Sequence, residues 1–198
     1  TSDADTAKIA QQARSQKREN PENGDVWIKT NGPYTSVQTF GKVLMQDYGP
    51  GKVKQHVAPH TLEIAALWAV LTRLVDDKDS KLGLVDKAKL YDGKSLPGYT
   101  EDSVKELHDK HTEEGMTGVS ARYVQDKVSS CLSSHYDYIN QFMVMNEIKA
   151  GLDNSSLITN KDEIAFYNTC VELVMKELDQ ILKQEVQRAL VGDEDAII

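Results

Sequence analysis

L-E-I-A-A-L-W-A-V-L-T-R-L-V, residues 62–75, is the most apolar stretch of the chain. Its apolar residues cover most of the circumference of a helix, which is typical of a helix at the centre of a bundle. We therefore predict that the other helices pack around this stretch and that Trp68 is buried.

Helical periodicity recurs on both sides of this central stretch. The further predicted helices span residues 4–19, a segment capped by Thr35 or Ser36 that ends near Tyr48, and residues 82–91, 101–111, 121–132, 138–152 and 161 to about 190. Residues 26–30, V-W-I-K-T, are short, β-prone and bounded by turn residues, so they predict a strand. The expected fold is mainly α, a helical bundle with at most one short strand.

A glycine loop leads into the predicted helix at 121–132: residues 115–123 read G-M-T-G-V-S-A-R-Y. Gly115 and Gly118 allow the backbone to turn, and Ser120 is a suitable N-cap. Arg122 then lies in the first helical turn, where the positive end of the helix dipole disfavours a cation. We expect this side chain to face an anion, either a phosphate or the carboxylate of Asp126. Spacing alone favours the salt bridge with Asp126.

Composition and charge exclude several classes of protein. The chain of 198 residues has a net charge of −8, which argues against bulk binding to nucleic acid or anionic lipid but not against one local phosphate site. No apolar run approaches the roughly 20 residues of a membrane span, and the first residues lack a signal-peptide pattern. Cys131 and Cys170 lie in apolar helical patterns, so we expect buried free thiols and a cytoplasmic location.

Two histidine pairs could suggest a metal, but neither pattern is convincing. His56 and His60 are four residues apart, yet Pro59 between them prevents both from lying on one regular helix. His108 and His111 are interpreted as part of a solvated polar helix face. We therefore expect no metal site and no catalytic residues in this chain.

The phosphate-binding motifs of ATPases are incomplete in this sequence. Residues 49–52, G-P-G-K, follow a predicted helix and lack the hydroxyl residue that a P-loop needs, so they predict a turn. No apolar strand ends in paired acids that could hold magnesium. We expect the chain alone neither to hydrolyse ATP nor to transfer a phosphoryl group.

Three stretches together resemble the PrkA family of serine protein kinases, which carry an AAA+ ATPase module. They are H-V-A-P-H-T-L-E-I-A-A-L-W-A-V-L-T-R-L at 56–74, K-L-Y-D-G-K-S-L-P-G-Y at 89–99, and the residues from 101 to 123 that end in E-G-M-T-G-V-S-A-R-Y. The resemblance extends from about residue 56 to residue 191. It implies a fragment that covers the end of an AAA+ core and the helical lid.

The resemblance also implies a division of the chain. Residues 1–34 would be the divergent end of the core, with its last strand, residues 35–133 the helical lid, and residues 134–198 helices that lead to a missing domain. The P-loop and magnesium-binding acids would lie upstream of this chain. The family's C-terminal kinase-assigned region would follow Val191.

A role for the glycine loop follows from the same resemblance. G-V-S-A-R, residues 118–122, is similar to the sensor-2 signature of AAA+ lids, so Arg122 would face the terminal phosphate of ATP, with Gly118 and Ser120 positioning it. The expected cofactors are ATP and magnesium in the full-length parent, with neither tightly bound to this chain alone. The expected partners are an AAA+ core of the same or a neighbouring subunit and an unknown protein substrate, with a possible homo-oligomer. The alternative is a non-catalytic helical interaction module derived from the family.

Overall fold

The computed structural model describes residues 35–77, 81–153 and 160–194. These ranges contain seven helices: α1 (Val37–Tyr48), α2 (Thr61–Leu71), α3 (Leu84–Tyr91), α4 (Glu101–Lys110), α5 (Ala121–Leu132), α6 (Gln141–Asp153) and α7 (Lys161–Glu194). They also contain two strands, β1 (His56–Val57) and β2 (Tyr138–Ile139). The predicted helix at 4–19 and the predicted strand at 26–30 lie outside the described residues. The mainly α fold class is confirmed.

Helix α2 occupies the centre, as its sequence predicts. All of its residues except Glu63 are buried, and it contacts α1, α3, α5, α6 and α7. Trp68 is fully buried, and its indole Nε1 donates to the carbonyl of Tyr167 on α7 at 3.2 Å. Apolar side chains around most of the circumference allow neighbours on nearly every side, which explains the position of this helix.

The central helix ends at Leu71, four residues before the end of its apolar stretch. The N–H groups of Arg73 and Leu74 bond three residues back, to Val70 and Leu71, so the chain tightens into a turn. Leu74 stays buried beyond this helix end. Periodicity alone missed the boundary because the core continues past the last regular turn.

Side-chain caps begin three of the helices where the sequence places hydroxyl residues. Ser36 Oγ accepts from the N–H of Thr39 at α1, and Ser120 Oγ accepts from the N–H of Tyr123 at α5. Thr100 and Ser103 form a reciprocal capping box at α4. These bonds satisfy N–H groups that have no partner within the helix, so the starts of these helices are set locally.

The two strands pair in parallel and join distant parts of the chain. His56 lies opposite Tyr138 and Val57 opposite Ile139, with the N–H of His56 bonded to the carbonyl of Asp137. The sequence predicted at most one strand, at 26–30, and read 138–140 as the start of a helix. Strands of two residues are too short to show a period of two, so periodicity could not detect them.

The last two helices complete the same core. The seam of α7 packs on α6 and on α2, with Tyr167, Val171, Val174 and Leu178 buried. Cys131 and Cys170 are buried free thiols, as predicted. Residues 35–133 and 134–198, which the resemblance assigned to a lid and to following helices, both contribute side chains to this one core. That division stays a prediction.

Candidate functional site

The glycine loop and the start of α5 form the candidate site, at the end of the central helix. Gly115 has a φ of +81° and Gly118 a φ of +108°, both in the region that favours glycine. Ser120 caps α5, and Arg122 is an exposed residue of its first turn. The structure therefore places Gly118 in the loop, Ser120 at the cap and Arg122 on the first turn of α5, and their role in nucleotide binding stays a prediction.

Gly118 is required by space as well as by backbone angle. A Cβ added there would lie 2.7 Å from the carbonyl oxygen of Thr72 and 2.6 Å from Cγ of Arg73. The neighbouring N–H of Val119 donates to Oγ1 of Thr72 at 3.2 Å. The loop thus presses its backbone directly against the last turn of the central stretch.

Arg73 fastens the loop from inside the protein. Its guanidinium donates through Nη1 to the carbonyl of Gly115 at 3.2 Å and through Nη2 to the carbonyl of Val119 at 2.5 Å. Its own carbonyl accepts from the N–H of Gly115 at 3.0 Å. Sequence analysis missed this role, although a single charge in the apolar run T-R-L-V was a usable signal.

Glu114 holds the beginning of the loop in a buried polar cluster. Its carboxylate accepts from the N–H of Val75 at 2.7 Å, from the hydroxyl of Tyr91 at 2.6 Å and from the ammonium of Lys87. The side chains of Lys87 and Glu114 are 3% and 1% exposed. Burial, with the hydrogen bond to Glu114 as a second cause, raises the pKa of Tyr91. Nothing in the sequence pattern indicated this cluster.

His108 in α4 and His111 directly after it correct one interpretation. His108 and His111 were assigned to a solvated helix face, but both are buried. The His108 ring stacks on Tyr91, with centroids 3.9 Å apart, and His111 Nε2 lies 3.4 Å from Asp77. The interpretation failed because a helix with few apolar residues was assumed to lie in solvent. No group of three or more potential metal-binding side chains occurs in the described ranges.

The guanidinium group of Arg122 is chemically suited to bind an anion. A guanidinium is always charged and offers a planar fork of donors to a phosphate or a carboxylate. Asp126, one turn further along α5, is also exposed. The phosphate contact and the salt bridge with Asp126 both stay predictions.

A separate cleft of about 860 Å³ lies between α1, the start of α2 and α7. Its apolar lining includes Met45, Leu62, Leu67 and Ile181, and its charged lining includes Lys89, Asp92 and Lys94. Residues 49–51 contribute to its wall, and residues 49–52 form a turn, as predicted, rather than a P-loop. The cleft is distinct from the loop that carries Arg122.

Comparison with known proteins identifies the family. A family model described as the PrkA serine protein kinase C-terminal domain matches residues 85–198. This chain belongs to the PrkA family. The ATP-dependent protease PrkA of Bacillus subtilis (strain 168) is 39% identical over 137 residues, which make up 69% of this chain and 22% of that relative. No solved structure matches the chain.

These findings confirm the resemblance drawn from the sequence and correct one detail. The chain spans 22% of the length of its curated PrkA relative. The C-terminal domain of the family was expected only after Val191, but its match begins at residue 85. That expectation was wrong, because this match begins well before Val191. The matched residues include α5 and Arg122. Among the described residues, no helix is long and apolar enough to cross a membrane.

Proposed function

We propose that this chain is a nucleotide-sensing helical part of an ATP-dependent PrkA protein. In this proposal Arg122 contacts the terminal phosphate of ATP, which an AAA+ core of the same or a neighbouring subunit holds together with magnesium. Residues 35–133 would then act as the helical lid over that core. Lid closure would be favoured by ATP, because the phosphate bonds Arg122 only in the closed state.

The observation that carries the proposal is the fixed presentation of Arg122. The residue is exposed on the first turn of a capped helix. The loop before it is fastened by Arg73 and Glu114 to the segment directly after the central helix. The backbone that carries this exposed cation therefore has little freedom to move. Such an arrangement suits recognition of an anion on a separate body.

The names of the relatives support ATP as the common requirement. The family model is named for a serine protein kinase and the Bacillus relative for an ATP-dependent protease. Phosphoryl transfer and ATP-driven proteolysis differ in their chemistry, but both consume ATP. Our proposal is a regulatory part of a serine protein kinase with an AAA+ module, located in the cytoplasm. Its protein substrate would be engaged elsewhere in the polypeptide.

A second candidate is a non-catalytic interaction module. One observation favours it: Val186, Leu190 and Val191 on the last turns of α7 are large apolar residues, each at least 60% exposed. Such a face on a monomer is typical of a surface that contacts another protein. An encoded P-loop upstream in the same reading frame would favour the sensing role over this candidate.

The test is ATP turnover in a longer PrkA protein that carries these residues. Arg122→Ala should lower turnover roughly tenfold to a hundredfold, the equivalent of one charged hydrogen bond of about 1.5–3 kcal/mol. Arg122→Lys should restore only part of it, because the planar fork is lost. Arg188→Ala, which removes an exposed arginine from α7, is the matched control and should leave turnover unchanged.

The salt-bridge alternative predicts a different pattern. If Asp126 is the partner of Arg122, Asp126→Ala and Arg122→Ala should lower the melting temperature equally, and neither should affect turnover. That result would overturn the sensing role. The purified 198-residue chain itself should show no steady ATP hydrolysis, since its sequence contains neither a P-loop nor paired magnesium-binding acids.

A further inference from the structure

The loop before Arg122 is held at both of its ends by buried charged side chains. Glu114 bonds the backbone of Val75 at the first end, and Arg73 bonds the carbonyls of Gly115 and Val119. Met116, between these contacts, is exposed. The last attachment point, the carbonyl of Val119, lies directly before the N-cap Ser120, so it fixes the chain where α5 begins.

We infer that Arg73 and Glu114 are positioning residues for Arg122. They fix the loop against the end of α2 and thereby set the place and direction from which Arg122 leaves α5. This inference rests on the proposed function for its consequence in catalysis. The positional part can be measured independently of any activity.

Buried charged groups often contribute little net stability to a fold, because removing them from water costs free energy. Replacing a buried ion pair with apolar residues is often neutral or stabilising, whereas removing one partner is costly. Glu114 is nevertheless surrounded by three donors, from Lys87, Tyr91 and the Val75 backbone. Several directional bonds to one carboxylate define a single geometry, which an apolar contact of the same size does not.

The arrangement also links the loop to other helices through α3. Tyr91 and Lys87 on α3 both donate to Glu114, while Lys89 on the same helix pairs with Glu177 of α7 at 2.9 Å. Asp92, directly after α3, accepts from Ser36 Oγ at 2.8 Å. These contacts connect the loop, through α3, to α7 and to the start of α1.

The first experiment measures the position of residue 122 in the full 198-residue chain. A nitroxide on Arg122→Cys reports local mobility by electron paramagnetic resonance. Cys131 and Cys170 should react slowly with the label, because burial raises their thiol pKa to about 11 and about 12. The unsubstituted chain serves as the blank, and a label at Arg188→Cys on α7 is the control site.

Arg73→Lys and Glu114→Gln should each increase label mobility at position 122 and leave it unchanged at position 188. Arg73→Lys retains the charge but cannot bridge two carbonyls with one planar fork. Glu114→Gln keeps an acceptor for the Val75 N–H but loses the charge that three donors share. Circular dichroism identifies any variant that fails to fold, and the other variant then carries the test.

The second experiment asks whether these residues act through Arg122. In a longer PrkA protein with this sequence, Arg73→Lys should lower turnover by up to about a hundredfold, as expected for a misplaced group. The same substitution should have almost no further effect in an Arg122→Ala background. A merely structural role would lower turnover by the same factor in both backgrounds.

The outcomes separate the inference from the proposed function. Unchanged mobility at 122 in both variants, or an equal increase at 188, would overturn the inference. Increased mobility at 122, together with full turnover in Arg122→Ala, would retain the positioning role and reject the nucleotide-sensing role.

Discussion

The backbone of Gly118 lies so close to Thr72 that an added Cβ would be 2.7 Å from the Thr72 carbonyl oxygen. A real Cβ almost never approaches an atom so closely, and this neighbour is backbone that cannot rotate away. The loop and the last turn of the central stretch therefore share a contact that only glycine permits. The start of α5 depends on this contact, because Ser120 follows two residues later.

Gly118→Ala should destabilise the protein more than alanine at another glycine with positive φ. Gly93, with a φ of +79° and no atom within 4 Å of an added Cβ, is the matched control. Gly93→Ala should cost about 1–2 kcal/mol from backbone strain alone. Gly118→Ala should cost the same backbone strain and about 1–3 kcal/mol more, because the new Cβ would overlap with Thr72. Urea unfolding of the two variants measures the difference, and equal costs would show that the loop relaxes freely.

Trp68→Ala should remove about 3–5 kcal/mol of stability, because it leaves a large cavity beside Tyr123 and Tyr167. Met45→Ala, at a half-exposed position on α1, is the control and should change stability by less than about 0.5 kcal/mol. The chain has two tryptophans, so Trp27→Phe isolates the emission of Trp68. We expect a short-wavelength maximum, and an emission typical of a solvated indole would contradict the burial.

The sequence predicted the parts of this fold that local signals determine. The all-round apolar face of α2 predicted its central place, and Ser36, Thr100 and Ser120 predicted the starts of three helices. The contacts of Glu114 could not be predicted, because its donors come from Lys87, Tyr91 and the Val75 backbone, all distant in sequence. Such contacts depend on how the helices pack, which periodicity does not specify.

The candidate site shows the same division between local and distant information. Gly118, Ser120 and Arg122 were identified from adjacent letters, since a turn, a cap and a first helical turn are local features. Arg73 was missed because it bonds carbonyls more than 40 residues away in the sequence, and only the folded structure brings these groups together. A charge inside an apolar run was the one signal available.

Val174→Asp should destabilise the protein by several kcal/mol. Val174 is completely buried in the seam of α7, so an aspartate there would be an unpaired charge in the core. Leu190→Asp makes the same kind of change on the same helix at a position that is 64% exposed. The control should melt close to the unsubstituted chain. Equal melting of the two variants would mean that the seam does not hold α7 to the core.

His60 connects the beginning of α2 to the distal part of α7 and should make that connection pH-dependent. Its ring nitrogens lie 2.8 Å from carboxylate oxygens of Glu63 and Glu185. The hydrogen bond with Glu63, followed by that with Glu185, raises the pKa of His60. The protonated imidazole is therefore bound more strongly in the folded state than in the unfolded chain.

The sign of the effect follows from the raised pKa. The stabilisation is fully present below the unfolded pKa, near 6.5, and is lost as the pH rises through the higher folded pKa. We expect at most about 1 kcal/mol at low salt, because both carboxylates are half-exposed and screened by solvent. His60→Asn is the suitable variant, since residue 60 has a φ of +61° and asparagine tolerates that conformation. Urea unfolding between pH 6 and pH 9 should show the free energy of unfolding decline in the unsubstituted chain and decline less in Glu185→Gln. The contribution of residue 60 to this decline should be absent in His60→Asn. An identical decline in all three proteins would assign the pH dependence to another group.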